Sequence, residues 1–350
     1  MRRQNDTTTL LYAELLSLCA NKLPSERGVS IVSKMVSGRR YWYAQLTVGS
    51  KQKQYSIGPD TAEIRDRIEA HKALIEEGSE RAETGQRLVA MLAKGGAITP
   101  VNAEARVLEV LERAGVFLAG GVLVGSHAFS VYGNMLGVRW EREAFMTQDI
   151  DIASDHRIEV AIPEHVADLK TALTESGMGF VEVPAFDRKN PSTSFIVQGQ
   201  SLKVDLLIPM QGKESHKPVQ IRKLKTFAAP VRFMDYLLED VQPAAVVAKA
   251  GMLVNVADPA RFVLHKLVVA HRRPVAMQTK ALKDIQQAGV LLEVLLEDRP
   301  GDILLAAEAA NSMPQKFQSE LLLGAKKLDA SLRKGITKIL GSALEVSPSI

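Results

Sequence analysis

The chain has 350 residues, 46% hydrophobic and 24% charged, enough for two or three ordinary domains and too balanced for a disordered, collagen-like or coiled-coil protein. Its formal charge of +4 is too small by itself to announce nucleic-acid binding. No apolar run approaches the roughly 20 residues that span a bilayer, no leader-like segment follows Met1, and the single cysteine, Cys19, points to a reducing cytoplasm.

Four regions follow in order: an N-terminal module over 1–80, an α/β region over 100–212, a basic connecting segment over 213–258 and a helical region over 259–345. In the first, Leu10, Leu11, Leu15, Leu16 and Leu18 predict an amphipathic helix over 8–22. Trp42, Ala44, Leu46 and Val48 alternate onto one face of a strand over 40–48, which Gly49-Ser50 turns into a partner over 51–58. A helix over 61–77 and a polar link near Gly78-Ser79-Glu80 complete the module. This hairpin and helix resemble the small arm-binding modules of tyrosine recombinases, which implies a contact with DNA. A packing hairpin is the plainer reading.

The second region alternates helix and strand, as a mixed sheet with flanking helices requires. Helices are expected over 102–114 and 164–176, and another begins near Ser126. Strands are expected over 116–124, 148–153, 157–162, 178–183, 194–198 and 202–208. The last region reads as helix throughout, broken at Pro259, Pro274, Gly289, Pro300-Gly301 and Pro314.

The chemistry gathers in the second region. At Gly125-Ser126 an apolar strand ends and a helix starts, and glycine lets a phosphate approach the backbone while the helix N–H groups face it. His127 next to it is expected to pack. Ser126 stands where a P-loop needs lysine, and no G-x-G-x-x-G occurs, so both of those motifs are excluded.

In Gln148-Asp149-Ile150-Asp151-Ile152 the two-residue period places both carboxylates on one face of a strand. Neighbouring carboxylates repel unless a cation separates them, and Mg²⁺ takes carboxylate oxygens while keeping sites for water and phosphate. Sixteen aspartates in 350 positions give roughly 0.7 such triplets by accident, so the apolar strand and the upstream Gly-Ser carry the weight. In the strand Leu202–Ile208, Asp205 stands opposite the apolar face. It either pairs with Lys203 or an arginine, or joins Asp149 and Asp151 as a third carboxylate.

Gly-Ser, Asp-x-Asp and a later strand Asp resemble the nucleotidyltransferase superfamily with the polymerase-β-like fold, and most closely a bacterial, largely uncharacterised family of that fold. The resemblance implies an α+β architecture. Gly125 and Ser126 would hold a triphosphate, and Asp149, Asp151 and Asp205 would ligate Mg²⁺, two ions, with Mn²⁺ as the alternative. Asp205 would serve as ligand or as base for the acceptor hydroxyl. One departure stands out: 22 residues separate Ser126 from Asp149, more than the superfamily usually has. The stretch from Tyr132 to Arg142 must therefore loop out as an insertion.

Lys266 on the first C-terminal helix, followed by Lys283-Asp284, is similar to the nucleotide-binding half of abortive-infection-type toxin nucleotidyltransferases. There Lys266 would contact phosphate and Asp284 would support the site; Arg273, Lys280 and Lys283 read as surface charge. Residues 212–233 carry six Lys/Arg against one Asp/Glu, and Lys217, Arg222, Lys223 and Lys225 are the candidates for a polyanion surface. The expected activity is transfer of NMP from an NTP to RNA or tRNA, a small hydroxylated molecule or a protein hydroxyl. The alternatives are a non-catalytic nucleotide or nucleic-acid binder and a two-metal nuclease.

Overall fold

The computed structural model describes residues 1–350 except 23–28, 49–50, 142–147, 156–166, 186, 188 and 346–350. The expected strand over 157–162 lies outside the described residues.

The chain opens with β1 (Arg2–Arg3) and α1 (Asp6–Ala20), which is capped by the Asn5 side chain accepting from the Thr8 N–H. A three-stranded antiparallel meander follows: β2 (Val29–Val36), β3 (Arg39–Val48) and β4 (Lys51–Pro59). The sequence predicts only β3 and β4. Helix α2 (Ala62–Lys94) then runs through the expected link at Gly78 without a break. Its Glu, Ala and Arg residues favour helix strongly, and its two interior glycines, Gly78 and Gly85, cost only about 1 kcal/mol each.

The principal sheet is built from β5 (Val122–Val124), β7 (Asp149–Ala153), β8 (Phe180–Glu182), β9 (Ser194–Val197), β10 (Lys203–Pro209), β11 (Val219–Ile221), β12 (Thr226–Val231), β13 (Val241–Val246) and β14 (Met252–Ala257). Along its main path the order is β11-β12-β10-β7-β5-β14-β13, with β9 beside β10 and β8 beside β9. The pairs β7/β10, β10/β12 and β5/β14 are parallel, and β5/β7 is antiparallel. The sheet is therefore mixed and the fold is α+β.

The segment expected to be a connector over 213–258 instead supplies β11 to β14 and the short helix α6 (Met234–Leu238). Pro230 and Pro243 disguise two of these strands, because proline cannot donate to a ladder. Pro243 is tolerated because β13 ends the sheet. Tyr12 of α1 seals that edge: its hydroxyl donates to the Ala245 carbonyl and accepts from the Ala245 N–H, both at 3.1 Å. Leu15, Cys19, Leu88, Leu92 and Val247 pack around it, so α1 and the far half of α2 are built onto the sheet.

Helices α3 (Asn102–Arg113) and α5 (Leu169–Thr174) pack together, and α4 (Gly125–Met135) packs on β5 and β7. The expected insertion begins within α4 itself, continues as β6 (Val138–Arg139), and is pinned by β1 pairing with β6. Trp140 stacks on Phe129 at 4.6 Å and its indole N–H donates to the Phe129 carbonyl at 2.9 Å. After this detour the chain returns as β7 directly beside β5.

Helices α7 (Pro259–Arg272), α8 (Gln278–Asp298), α9 (Pro300–Asn311), α10 (Gln315–Ala325) and α11 (Ala330–Glu345) complete the chain. Breaks fall at Pro274, Pro300 and Pro314 as expected, but Gly289 lies inside α8. A methyl group there would sit at ordinary contact distance from Leu328 and Leu332, 3.5 and 3.6 Å, so the packing on α8 does not require the glycine.

Candidate functional site

The pattern of β7 holds: Ile150 and Ile152 are fully buried, each worth about 1.5–3 kcal/mol of apolar burial, while Asp149 and Asp151 take the other face. On β10, Val204 and Leu206 are likewise buried, and Lys203 and Asp205 share the open face. Because β7 and β10 are parallel, Lys203 is in register with Asp149 and Asp205 with Asp151. Neighbours in register point to the same side, so three carboxylates distant in sequence occupy one patch.

Asp205 is held from both sides. Its Oδ1 accepts from the Ser194 hydroxyl on β9 and from the Lys203 ammonium at 2.7 Å. The pairing with Lys203 and the placement beside Asp151 are thus both realised. Oδ2 is the oxygen these two contacts leave to the site.

Gly125 closes over Asp151. Its φ of +67° is left-handed, and a Cβ there would run into the Asp151 carboxylate. Burial pushes the Asp151 carboxyl up to about 7, and the Asp205 and Asp149 charges add to that while Lys266 and Lys203 oppose it. Ser126 and His127 are buried in the first turn of α4. The Ser126 hydroxyl accepts from the Gln287 side-chain amide of α8 at 3.3 Å.

The opposite wall comes from α7 and α8. The Asp284 carboxylate accepts from Lys266 through Oδ1 and from Arg273 through Oδ2, each at 2.5 Å. Burial works against the charge of Asp284, but the Lys266 and Arg273 cations outweigh it and hold the carboxyl below the usual range. Lys266 also lies 5.3 Å from the Phe262 ring. Lys283 is half-buried next to this cluster. Burial and the neighbouring Lys266 bring its amine down to about 8, against the pull of Asp284 and Asp149. His265, on the same helix as Lys266, is pushed down to about 4 by burial and stays neutral.

Of the sequence candidates, the fold gathers Gly125, Ser126, Asp149, Asp151, Asp205, Lys266 and Asp284 into one neighbourhood. The four basic residues after β10 are not gathered. Lys217 and Arg222 are exposed on separate stretches, Lys223 is buried, and Lys225 lies 3.7 Å from Asp168. Ser194 and Gln287 escape sequence reading, and Arg273 and Lys283 read there as surface charge. Only the helical spacing of Lys280, Lys283, Asp284 and Gln287 on one face of α8 signals that wall.

Among the described residues no group of three or more His, Cys, Asp or Glu side chains is placed so that it could hold a metal ion by itself. The all-carboxylate donors at 149, 151 and 205 nevertheless suit Mg²⁺. That ion is commonly held by one or two carboxylates together with substrate phosphates and water. A cleft elsewhere is lined by Cys19, Lys22, Glu109, Glu112 and Lys249. Its charges satisfy one another, Lys22 with Glu112 and Lys249 with Glu109, and burial pushes the Cys19 thiol up to about 11.

A family model described as nucleotidyltransferase matches residues 102–312, more than half of the chain. No curated protein and no solved structure matches it. Among the described residues, no helix is long and apolar enough to cross a membrane.

Proposed function

The chain belongs to the nucleotidyltransferase family, and from that premise we propose that it is a Mg²⁺-dependent enzyme that moves NMP from an NTP to a hydroxyl of RNA or tRNA. The observation that carries this reading is the register of Asp205 with Asp151, beside Asp149 and beneath Gly125 at the start of α4. A protein that merely bound polyanions would gain nothing from three carboxylates on one face.

In the proposed reaction the acceptor oxygen bonds to the α-phosphorus as the bond from that phosphorus to the β-phosphate oxygen breaks, and pyrophosphate leaves. Asp205 takes the hydroxyl proton on Oδ2, while Ser194 and Lys203 fix its other oxygen. Asp149 and Asp151 are the side chains that would hold Mg²⁺, which when bound supplies charge neutralisation at the phosphates. The Gly125-Ser126 backbone and the basic face of α8 receive the triphosphate. Lys217 and Arg222 are assigned to the acceptor.

Each NTP labelled at the α-phosphate is incubated with Mg²⁺, total RNA and the protein. Wild type is expected to label RNA, and Asp151→Asn or Asp205→Asn to lose about 100-fold or more of that rate. A wild type that binds NTP and never releases pyrophosphate is a binder. Nucleotides freed from RNA without any NTP make the protein a nuclease.

A further inference from the structure

Helix α8 presents Lys280, Lys283, Asp284 and Gln287 at spacings of three and four residues, one face of a 3.6-residue helix. The orientation of that face is fixed at two points. Gln287 reaches Ser126 at the start of α4, and Asp284, one turn earlier, ties down Lys266 and Arg273. Lys283 therefore lies on the face of α8 turned toward α4 and is half-buried there, and the groups within its electrostatic reach are Lys266, Asp284, Asp149 and Lys280.

We infer that Lys283 grips the β- and γ-phosphates of the bound NTP, whereas Lys266 serves to set Asp284 in place. The inference rests on the nucleotidyltransferase reading of the site. Lys266 is 11% exposed and its ammonium is committed to Asp284, so a phosphate contact would require it to leave a buried carboxylate that is itself 4% exposed. Lys283 has no such commitment: among the described residues it makes no ion pair, and it is half-buried beside other cations.

Lys283 stands between the cations Lys266 and Lys280 and the carboxylates Asp284 and Asp149, and a partly desolvated ammonium that makes no ion pair gains from an arriving anion. The wall formed by α7, α8 and the turn between them sets Lys266, Arg273, Lys280 and Lys283 near the single carboxylate of Asp284. It faces a strand wall where Asp149, Asp151 and Asp205 outnumber Lys203. A metal–triphosphate complex matches both walls at once, its metal towards the strands and its outer phosphates towards α8. Lys283, which feels Asp149 on the strand wall, stands where the two meet.

The test measures dissociation constants by calorimetry with Mg²⁺, using inorganic tripolyphosphate, the α,β-methylene analogues of the four NTPs, and the four NMPs. Lys283→Met keeps the aliphatic stem, and a melting curve checks its fold; Lys283→Gln serves if the methionine variant does not fold. Loss of one charge-assisted contact is expected to weaken tripolyphosphate and triphosphate binding about tenfold or more. NMP binding should stay within about twofold, and Lys283→Arg should restore most of the loss. In turnover, KM for the NTP rises more than kcat falls.

Unchanged triphosphate affinity in Lys283→Met, or equal losses for NMP and NTP, overturns the assignment. If wild type binds and transfers nucleotide while Lys283→Met matches it, only Lys283 is displaced. If wild type binds no triphosphate, the reading of the whole site falls with it.

Discussion

The Asp151 carboxylate occupies the space that a side chain on Gly125 would need. The glycine that opens α4 and an acidic residue of β7 are thus a matched pair, and the match brings the start of α4 against the carboxylate patch.

Gly125→Ala is the direct probe of that pair. The left-handed φ costs a non-glycine residue about 1–2 kcal/mol, before any displacement of Asp151. The expected outcome is a lower melting temperature and loss of nearly all transfer activity, with Gly177→Ala as a control. Gly177 is also left-handed, but open space surrounds it. Equal activity loss in both variants would count against the pairing.

The metal-free protein should show the charge of Asp151 in its stability. Burial raises this carboxyl from its usual 3.8 to about 7, so between those pH values the folded chain holds a proton that the unfolded chain has released. Stability therefore falls as pH rises through the window and levels off above it. Asp151→Asn should be the more stable protein at pH 8, by an amount on the order of a few kcal/mol, with the gap closing towards pH 4. Denaturant titrations across that range read it out, and Mg²⁺ should stabilise wild type at pH 8 but not the variant.

The Lys266–Asp284–Arg273 cluster behaves in the opposite sense. Asp284 has a lowered carboxyl value, so its contribution is present above the usual carboxylate range and is lost as pH falls through the folded value. Asp284→Ala leaves two cations without their shared anion and should cost about 3–5 kcal/mol. Lys266→Met combined with Asp284→Leu should recover much of that in a denaturant melt while leaving the enzyme inactive. A double variant no more stable than Asp284→Ala would refute the account.

Trp140 anchors the detour between α4 and β7. Trp140→Ala removes the Phe129 stack and leaves the Phe129 carbonyl without its indole donor, at a cost of about 3–5 kcal/mol. Hydrogen exchange should show faster opening in α4 and β6 before it shows any in α9 or α10.

The strand chemistry was legible because period-two alternation says which side chains share a face: Asp149, Asp151 and Asp205 could be placed without coordinates. Register could not be read. Nothing in either strand alone says that Asp205 stands opposite Asp151 rather than Asp149, because that register follows from how β7 and β10 pair across 54 residues. The four strands after residue 218 were hidden by their brevity and by Pro230 and Pro243. On α8 the wheel was visible, but whether Lys283 faced water or α4 depended on Gln287 meeting Ser126, 161 residues away.

That last contact has an architectural consequence. The three clustered carboxylates come from the strands and Lys266 and Lys283 from the terminal helices, so neither portion holds both halves of an active centre. A gene bisected after β14 should yield two fragments that are each inert. Turnover would return only on mixing, in proportion to how well the severed helices find the sheet again.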